Sequence, residues 1–264
     1  MQYWRNFAVP ELSIMNQGDK TVLITGATSG IGLELAKLFA RDHYNMVIIS
    51  RKPANLGKAE EILKAEGAGE ITPIVKDLSV PGSAREIYTM IKGKGILIDV
   101  LVNNAGVGEY GLFRDTDHEK EVSLIQLNIS SMVELTKCCL GDMLSAGSGR
   151  ILQLGSVSSY QPTPRLTVYA ATKAFILAFS DALRAELKDT PITVTTLVPG
   201  PTDTDFFRKA SMENTRAGFE RPENPMVVAK IGYAALMEGD AHAFGPGVKK
   251  SVAISPNMAV AGQS

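Results

Sequence analysis

The 264-residue chain has only two cysteines and no excess of charge of either sign. Cys138 and Cys139 are adjacent in an apolar, helix-like stretch, a spacing that suits neither a metal site nor a disulfide framework. With no third cysteine to pair with, they indicate a reducing compartment. Lys and Arg number 27 against 28 Asp and Glu, without a basic block, so we expect neither a bound metal nor a nucleic-acid partner.

Long hydrophobic runs are also missing. Residues 1–20 lack the continuous apolar stretch of a signal peptide, and no later run is long enough to cross a bilayer. We therefore expect a cytoplasmic protein without a membrane span. With 45% hydrophobic residues and no compositional break, the chain predicts one domain over residues 19–245, between an N-terminal extension at 1–18 and a C-terminal tail at 246–264.

Short β-branched runs alternate with longer helical patterns from Lys20 onward. This order is typical of βαβ units that build a parallel sheet, and the near-continuous hydrophobicity of the runs suits strands covered on both faces. The sequence therefore predicts an α/β fold, with a doubly wound parallel sheet of six to seven strands in three α/β/α layers. The six clear strand candidates are residues 21–25, 45–50, 71–76, 96–104, 150–156 and 192–200. The helical candidates are residues 30–41, 56–66, 82–92, 119–144, 168–188 and 227–238.

A glycine-rich turn, TGATSGIG at residues 25–32, separates the first strand from the first helical pattern. Gly26 permits a sharp exit from the strand, Gly30 lets the backbone approach a pyrophosphate, and Gly32 lets the helix pack close to the sheet. The helix N-terminus offers unpaired N–H groups to an anion. The alternative is a purely structural turn, but its place in the chain favours a dinucleotide site with six candidate contacts: Gly26, Thr28, Ser29, Gly30, Ile31 and Gly32.

The end of the second strand should select between cofactors. An acidic residue there would accept hydrogen bonds from the adenosine ribose, but Ser50, Arg51 and Lys52 stand there instead. A guanidinium and an ammonium favour the additional phosphate of NADP(H). We therefore expect NADP(H) to be preferred, with NAD(H) as the alternative if Arg51 and Lys52 are only solvated loop charges.

Two further strand ends contribute candidate cofactor contacts. Asp77 and Leu78 follow the third strand, at the edge where ligands of open α/β sheets bind. Asp77 could accept from an adenine amino group, or it could cap a helix-entry turn. The segment after the fourth strand would either form a bare turn or permit close contact with the adenosine half through Asn104, Ala105 and Gly106.

Tyr169 and Lys173 stand one helical turn apart, with Ser156 upstream. A free phenol has a pKa of about 10, and an ammonium on the same helix face would favour the phenolate and lower that pKa. The Ser156 hydroxyl could hold the substrate's oxygen. Together the three residues could move one proton to or from that oxygen, whereas an isolated Tyr-x-x-x-Lys pair could equally be a solvated helix face with an aromatic anchor.

The motifs occur together and in order: T-G-x-x-x-G-I-G at 25–32, N-N-A-G at 103–106, Asn128, Ser156, Tyr-x-x-x-Lys at 169–173, and Pro199-Gly200. In this combination the chain resembles the short-chain dehydrogenase/reductase family of Rossmann-fold oxidoreductases over roughly residues 19–240. The resemblance implies four catalytic residues. Tyr169 would exchange the proton, Lys173 would lower the tyrosine pKa, Ser156 would bind the carbonyl oxygen, and Asn128 would hold a relay water at a helix distortion.

The resemblance also implies further cofactor contacts and an activity. Tyr169 and Lys173 would contact the nicotinamide half, and its amide would be held by three residues: Pro199, Gly200 and Thr202. Hydride would pass between NADP(H) and a ketone, an aldehyde or a secondary alcohol. The segment VPGPTDTDFF is similar in sequence to that of carbonyl reductases. The alternatives are an NAD-dependent alcohol dehydrogenase and a noncatalytic nucleotide-sensing protein.

The family resemblance further implies a small-molecule substrate and a homodimer or homotetramer. Many members carry a glycine-rich last strand that ends in Asp-Gly-Gly, and this chain lacks it, so a seventh strand stays open. We expect substrate walls at Val107, Gly108 and Tyr110, in residues 158–164 and in residues 202–225. Aromatic and apolar residues would make this last segment either a lid or a helix packed on the sheet: Phe206, Phe207, Met212 and Phe219.

Overall fold

The computed structural model describes residues 20–206, 210 and 222–248. Within them, seven parallel strands form a single sheet in the order β3-β2-β1-β4-β5-β6-β7. The order reverses beside β1, which pairs with β2 on one side and β4 on the other. The strands are β1 (Thr21–Thr25), β2 (Asn45–Ser50), β3 (Ile71–Val75), β4 (Val100–Asn103), β5 (Gly149–Leu154), β6 (Ile192–Val198) and β7 (His242–Phe244).

The helices lie between successive strands. Asp117 caps one of them by accepting a hydrogen bond from the Lys120 backbone N–H at 3.1 Å, and Asn224 caps another by accepting from Met226 N–H at 2.8 Å. The helices are α1 (Gly30–Arg41), α2 (Pro53–Ala65), α3 (Ser83–Gly93), α4 (His118–Ile125), α5 (Ser131–Ala146), α6 (Thr167–Glu186) and α7 (Pro225–Glu238). A π-helical turn (Gln126–Ser130) joins α4 to α5, and a 3-10 turn (Val157–Ser159) follows β5.

Both faces of the sheet are covered, because successive side chains of a strand point to opposite sides. On one face, Val22 and Ile24 pack with apolar side chains of α1, α2 and α7. On the other, Leu23 packs with side chains of α3, α5 and α6. The predicted three-layer, doubly wound parallel fold is therefore confirmed.

Two elements differ from the sequence prediction. The helix expected over residues 119–144 is divided into α4, the π turn and α5, and the π turn contains Asn128. The strand left open is present as β7, which pairs Thr196 with His242 and Val198 with Phe244. Three residues are too few to show a strand periodicity, so β7 could not be read from the sequence.

Two predicted segments, 1–18 and most of the tail at 246–264, lie outside the described residues. Within the described ranges, no helix combines the length and the apolarity needed to span a bilayer.

Candidate active site

A cleft of about 520 Å³ lies at the carboxyl ends of the strands and includes the point between β1 and β4 where the strand order reverses. This is the position at which open α/β sheets bind ligands. The cleft lining includes most of the predicted cofactor residues: Gly26, Thr28, Ser29, Gly30, Ile31, Ser50, Arg51, Asp77, Leu78, Asn104, Ala105, Gly106, Tyr169, Pro199, Gly200 and Thr202. Ser156 lines it as well.

The glycine-rich turn needs its glycines. Gly26 has φ 69° and Gly30 has φ 56°, values that side chains rarely tolerate. A Cβ on Gly26 would lie 2.8 Å from Asn104 Nδ2, and one on Gly30 would lie 2.9 Å from Thr204 Cγ2. Gly32 does not line the cleft; a side chain there would collide with Asn104 and with the Gly26 carbonyl. Gly32 therefore keeps α1 close to the strand ends, as predicted.

Asn104 braces this turn from the end of β4. Its Nδ2 donates to the carbonyl oxygens of Thr25 at 3.0 Å and Gly26 at 3.2 Å. The backbone N–H groups of Asn104 and Ala105 both donate to Thr25 Oγ1, at 3.0 and 2.9 Å. Hydrogen bonds therefore hold the turn against the end of β4. Thr25, which accepts several of them, was not among the residues predicted from the sequence.

Cationic side chains surround the cleft where β2 and β3 end. Arg51 and Lys52 are exposed, and Lys76 joins them from the end of β3. Asp77 accepts from both the backbone N–H and the hydroxyl of Ser79, at 2.9 and 2.7 Å, and its other carboxylate oxygen lies 3.7 Å from Arg51. The two hydrogen bonds from Ser79 thus support the interpretation that Asp77 caps a turn. Asn55 and Lys76 line the cleft but were not among the predicted site residues.

Ser156 begins the 3-10 turn after β5. Its Oγ accepts from Ser158 N–H at 3.1 Å, and its own N–H donates to Ser159 Oγ at 3.2 Å. The accepted bond occupies one lone pair, so the hydroxyl proton can be donated elsewhere. Ser156 is buried in the cleft wall and can offer this proton to a substrate oxygen.

Tyr169 lies in the first turn of α6, with its ring centroid 5.0 Å from that of Phe206. Burial raises the pKa of Tyr169 to about 12, although a hydrogen bond with Ser156 opposes the increase. Lys173 lies 5.7 Å from the centre of the Tyr169 ring, and burial lowers its pKa to about 7. Burial thus opposes the lowering of the tyrosine pKa that was expected from Lys173, because it disfavours the charged form of both groups.

Lys173 and Asn128 lie behind the cleft wall. Lys173 Nζ donates to the Leu154 carbonyl at 2.6 Å. Asn128 Oδ1 accepts from Val107 N–H at 3.1 Å, while its Nδ2 donates to the Val107 carbonyl at 3.0 Å and to Thr172 Oγ1 at 3.1 Å. The Asn128 amide thus joins the π turn, the loop after β4 and helix α6.

The segment after β6 closes one side of the cleft. The Pro199 carbonyl accepts from Val157 N–H at 3.0 Å, and Thr202 Oγ1 donates to the Gly200 carbonyl at 2.9 Å. Thr202 also forms a parallel bridge with Glu223. These contacts fix the predicted amide-binding segment next to Ser156.

The predicted substrate walls are partly described. Val107 lines the cleft, and Gly108 and Tyr110 lie beside Tyr169 and Phe206. Gln161 and Thr163 represent the expected 158–164 wall, and Leu166 adds to it. The other lid candidates lie outside the described residues: Phe207, Met212 and Phe219.

The reversal of strand order beside a glycine-rich turn, with a cleft at the strand ends, defines a dinucleotide-binding α/β protein of Rossmann type. The family model of the short chain dehydrogenases matches residues 20–215. A short chain dehydrogenase of Pseudocercospora fijiensis is 31% identical over 198 residues, which cover 74% of this chain. The chain belongs to the short chain dehydrogenase family. It spans 64%, less than two thirds, of that relative's length.

Solved structures show the same fold. A short-chain dehydrogenase from Sphingobium yanoikuyae in complex with NADPH has a TM-score of 0.81 and 27% identity, covering 88% of this chain and 90% of that one. A bulky-bulky ketone specific alcohol dehydrogenase from Comamonas testosteroni has a TM-score of 0.78 and 28% identity, with 89% of each chain covered.

Proposed function

We propose that this protein is an NADP(H)-preferring carbonyl reductase in which Tyr169 supplies the proton to a ketone or aldehyde oxygen. One observation carries the proposal: Ser156 and Tyr169 line the same cleft as the glycine-rich turn, with Lys173 and Asn128 directly behind them. Reduced nicotinamide and a carbonyl substrate need this combination of a dinucleotide site and a proton donor. The similar short-chain dehydrogenase from Sphingobium yanoikuyae is in complex with NADPH, which supports a nicotinamide cofactor.

The residues present fit a dinucleotide. Gly26 and Gly30 let the turn lie close against Asn104 and Thr204, where a Cβ would collide, and α1 begins beside this turn. The Ser29 side chain makes no capping hydrogen bond, so it does not occupy the first-turn N–H groups of α1. These groups and the positive end of the helix dipole suit a pyrophosphate.

The charges at the far end of the cleft support a phosphate on the adenosine ribose. Arg51, Lys52 and Lys76 all line that end, and Asp77 is engaged by Ser79 and Arg51. A guanidinium binds a phosphate with charge-assisted hydrogen bonds, which are stronger than neutral ones. Lys76 also pairs with Glu86, so Arg51 and Lys52 are the cations that favour NADP(H) over NAD(H) there.

When bound, NADPH would supply a hydride to the carbonyl carbon. Ser156 donates its hydroxyl proton as a hydrogen bond to the substrate oxygen, where negative charge develops. Tyr169 holds its proton at neutral pH because burial raises its pKa to about 12, so its acid form is the populated one. Because its pKa is raised, little of the phenolate that would accept a proton from an alcohol is present near neutral pH.

Asn128 acts on the proton donor indirectly. Its Nδ2 holds Thr172 Oγ1, and Thr172 in turn donates to the Tyr169 carbonyl at 2.7 Å. Asn128 therefore positions the first turn of α6, which carries Tyr169, relative to the loop after β4. This is a positioning role, since Asn128 does not line the cleft.

The proposal is tested with a panel of ketones, aldehydes and secondary alcohols, assayed in parallel with both cofactors by the change in reduced-cofactor absorbance. We expect carbonyl reduction with NADPH to exceed every other combination. Tyr169→Phe should lower kcat about 100- to 10,000-fold, the range for removing a general acid. Tyr88→Phe is the matched control, because Tyr88 hydrogen-bonds Asp142 at 2.9 Å, outside the residues that line the cleft. Turnover that survives in Tyr169→Phe would exclude the proposed role.

A further inference from the structure

The aromatic side chain of Phe206 packs against Tyr169 at the wall of the cleft. Its ring lies against the catalytic Tyr169, with centroids 5.0 Å apart and planes inclined by 48°. Both rings contact the same small apolar cluster, which contains Leu166 and Ala210. Phe206 and Tyr169 both line the cleft, so the Phe206 ring adjoins the space beside Tyr169.

Gly108 makes room for the Phe206 ring. A Cβ on Gly108 would lie 2.8 Å from Phe206 Cζ and 3.4 Å from Tyr169 Cδ2. The first distance is too short for a real carbon contact, so any side chain at position 108 would displace the ring. Gly108 is buried and its φ is not positive, so the close approach of Phe206, and not backbone strain, requires glycine there.

The charges of the lining divide between the two ends of the cleft. The lining cations are Arg51, Lys52 and Lys76, all at the β2 and β3 ends. Among the described residues that line the Tyr169 end, Asp205 is the only one with a charged side chain. The Arg165 guanidinium lies 5.8 Å from the centre of the Tyr110 ring and does not line the cleft. The described lining of this end therefore offers an anionic substrate little compensation for its lost hydration.

We infer that Phe206, seated on Gly108 and Tyr169, is a specificity-determining wall that selects uncharged carbonyl compounds carrying a flat ring beside the carbonyl. The inference rests on the proposed function and specifies its substrate class. A flat substrate ring gains an aromatic contact with Phe206 while its carbonyl oxygen reaches Ser156 and Tyr169. Such ring contacts contribute about 0.5–1.5 kcal/mol beyond area burial.

The test compares acetophenone with 2-octanone, which have the same number of carbon and oxygen atoms, and with 4-acetylbenzoate, which adds a carboxylate. We expect kcat/KM with NADPH to be highest for acetophenone. Phe206→Ala should lower the acetophenone to 2-octanone ratio about threefold to tenfold, and Phe206→Leu should lower it as well, because neither variant keeps the ring. Phe113→Ala removes an exposed aromatic ring that does not line the cleft and should leave the ratio unchanged.

A double-mutant cycle tests the contact between the Phe206 ring and Gly108. Gly108→Ala should lower kcat/KM for acetophenone in the parent protein but much less in the Phe206→Ala background, where the ring it displaces is gone. An equal loss of kcat/KM on Gly108→Ala in both backgrounds would refute the packing of the Phe206 ring on Gly108. Equal losses for acetophenone and 2-octanone in Phe206→Ala would refute the specificity role, and a preference for 4-acetylbenzoate would refute the uncharged class. Retained NADPH binding shows that each variant is folded.

These results also separate the inference from the proposed function. Carbonyl reduction that depends on Tyr169 but not on Phe206 contradicts only the specificity role. A parent protein that reduces none of the ketones and aldehydes contradicts the proposed function and the inference with it.

Discussion

The two ends of the cleft use charge in opposite ways. Where β2 and β3 end, the Arg51 side chain is 54% exposed and faces water beside Lys52. At the other end Lys173 is only 3% exposed, and its ammonium is held by a backbone carbonyl. Exposed cations select a ligand by electrostatic attraction, and each can be replaced with little disturbance of the fold. Buried polar groups depend on one another, so the change of one affects proton transfer and stability together.

The largest effect should come from the buried end. Asn128→Ala removes three hydrogen bonds and leaves the Val107 N–H and carbonyl without their side-chain partner. We expect a loss of stability on the order of 3 kcal/mol and a fall in kcat of about 10- to 100-fold. Ser130→Ala, on the exposed face of the same π turn, is the control. Thermal unfolding and a comparison of kcat with KM check both effects; a fall in stability without a fall in kcat would limit Asn128 to a structural role.

The burial of Lys173 should also appear in the pH dependence of stability. Its pKa is about 7 in the folded protein, against an ordinary lysine value of 10.5, so between these values the unfolded chain binds the additional proton. The contribution of Lys173 therefore makes the free energy of unfolding rise with pH, by on the order of 2 kcal/mol from pH 7 to 9. Lys173→Met should lose this rise with pH. Its free energy of unfolding should exceed that of the parent protein by the largest amount below pH 7. Parallel pH profiles from denaturant unfolding would contradict the lowered pKa.

The smallest effect should come from the exposed end. Arg51→Ala should raise the dissociation constant for NADPH about tenfold, and that for NADH less than twofold, because only NADPH carries the additional phosphate. Arg85→Ala provides the control, since Arg85 pairs with Glu134 away from the residues that line the cleft. Equal effects of Arg51→Ala on both cofactors would remove this argument for NADP(H).

The same contrast explains how far the sequence could be interpreted. The glycine-rich turn and the Tyr169–Lys173 pair are local in the chain, and their context within the alternating elements sufficed to place the turn and Tyr169 in one cleft, with Lys173 behind its wall. Lys76 and Asn55 were missed because their relevance depends on which strand ends become neighbours. No sequence pattern predicts the contact between the half-buried Phe206 and Gly108, since these residues are almost a hundred positions apart.

Like the contacts between distant residues, the burial of each side chain could not be predicted from the sequence. A phenol and an ammonium one helical turn apart predicted a lowered tyrosine pKa, but the sequence does not state how much water each group retains. In the fold, burial raises the pKa of Tyr169 to about 12 and lowers that of Lys173 to about 7. The identities of the proton-handling residues could thus be proposed from the sequence, whereas their protonation states required the structure.

The most direct test of the division between the two ends is a crossed measurement on Arg51→Ala and Tyr169→Phe. NADPH dissociation constants are obtained by fluorescence titration, and kcat for ketone reduction is measured at saturating NADPH. We predict that Arg51→Ala weakens NADPH binding and keeps kcat, whereas Tyr169→Phe keeps NADPH binding and loses kcat. The account is contradicted if kcat in Arg51→Ala falls as far as affinity does, or if Tyr169→Phe no longer binds NADPH.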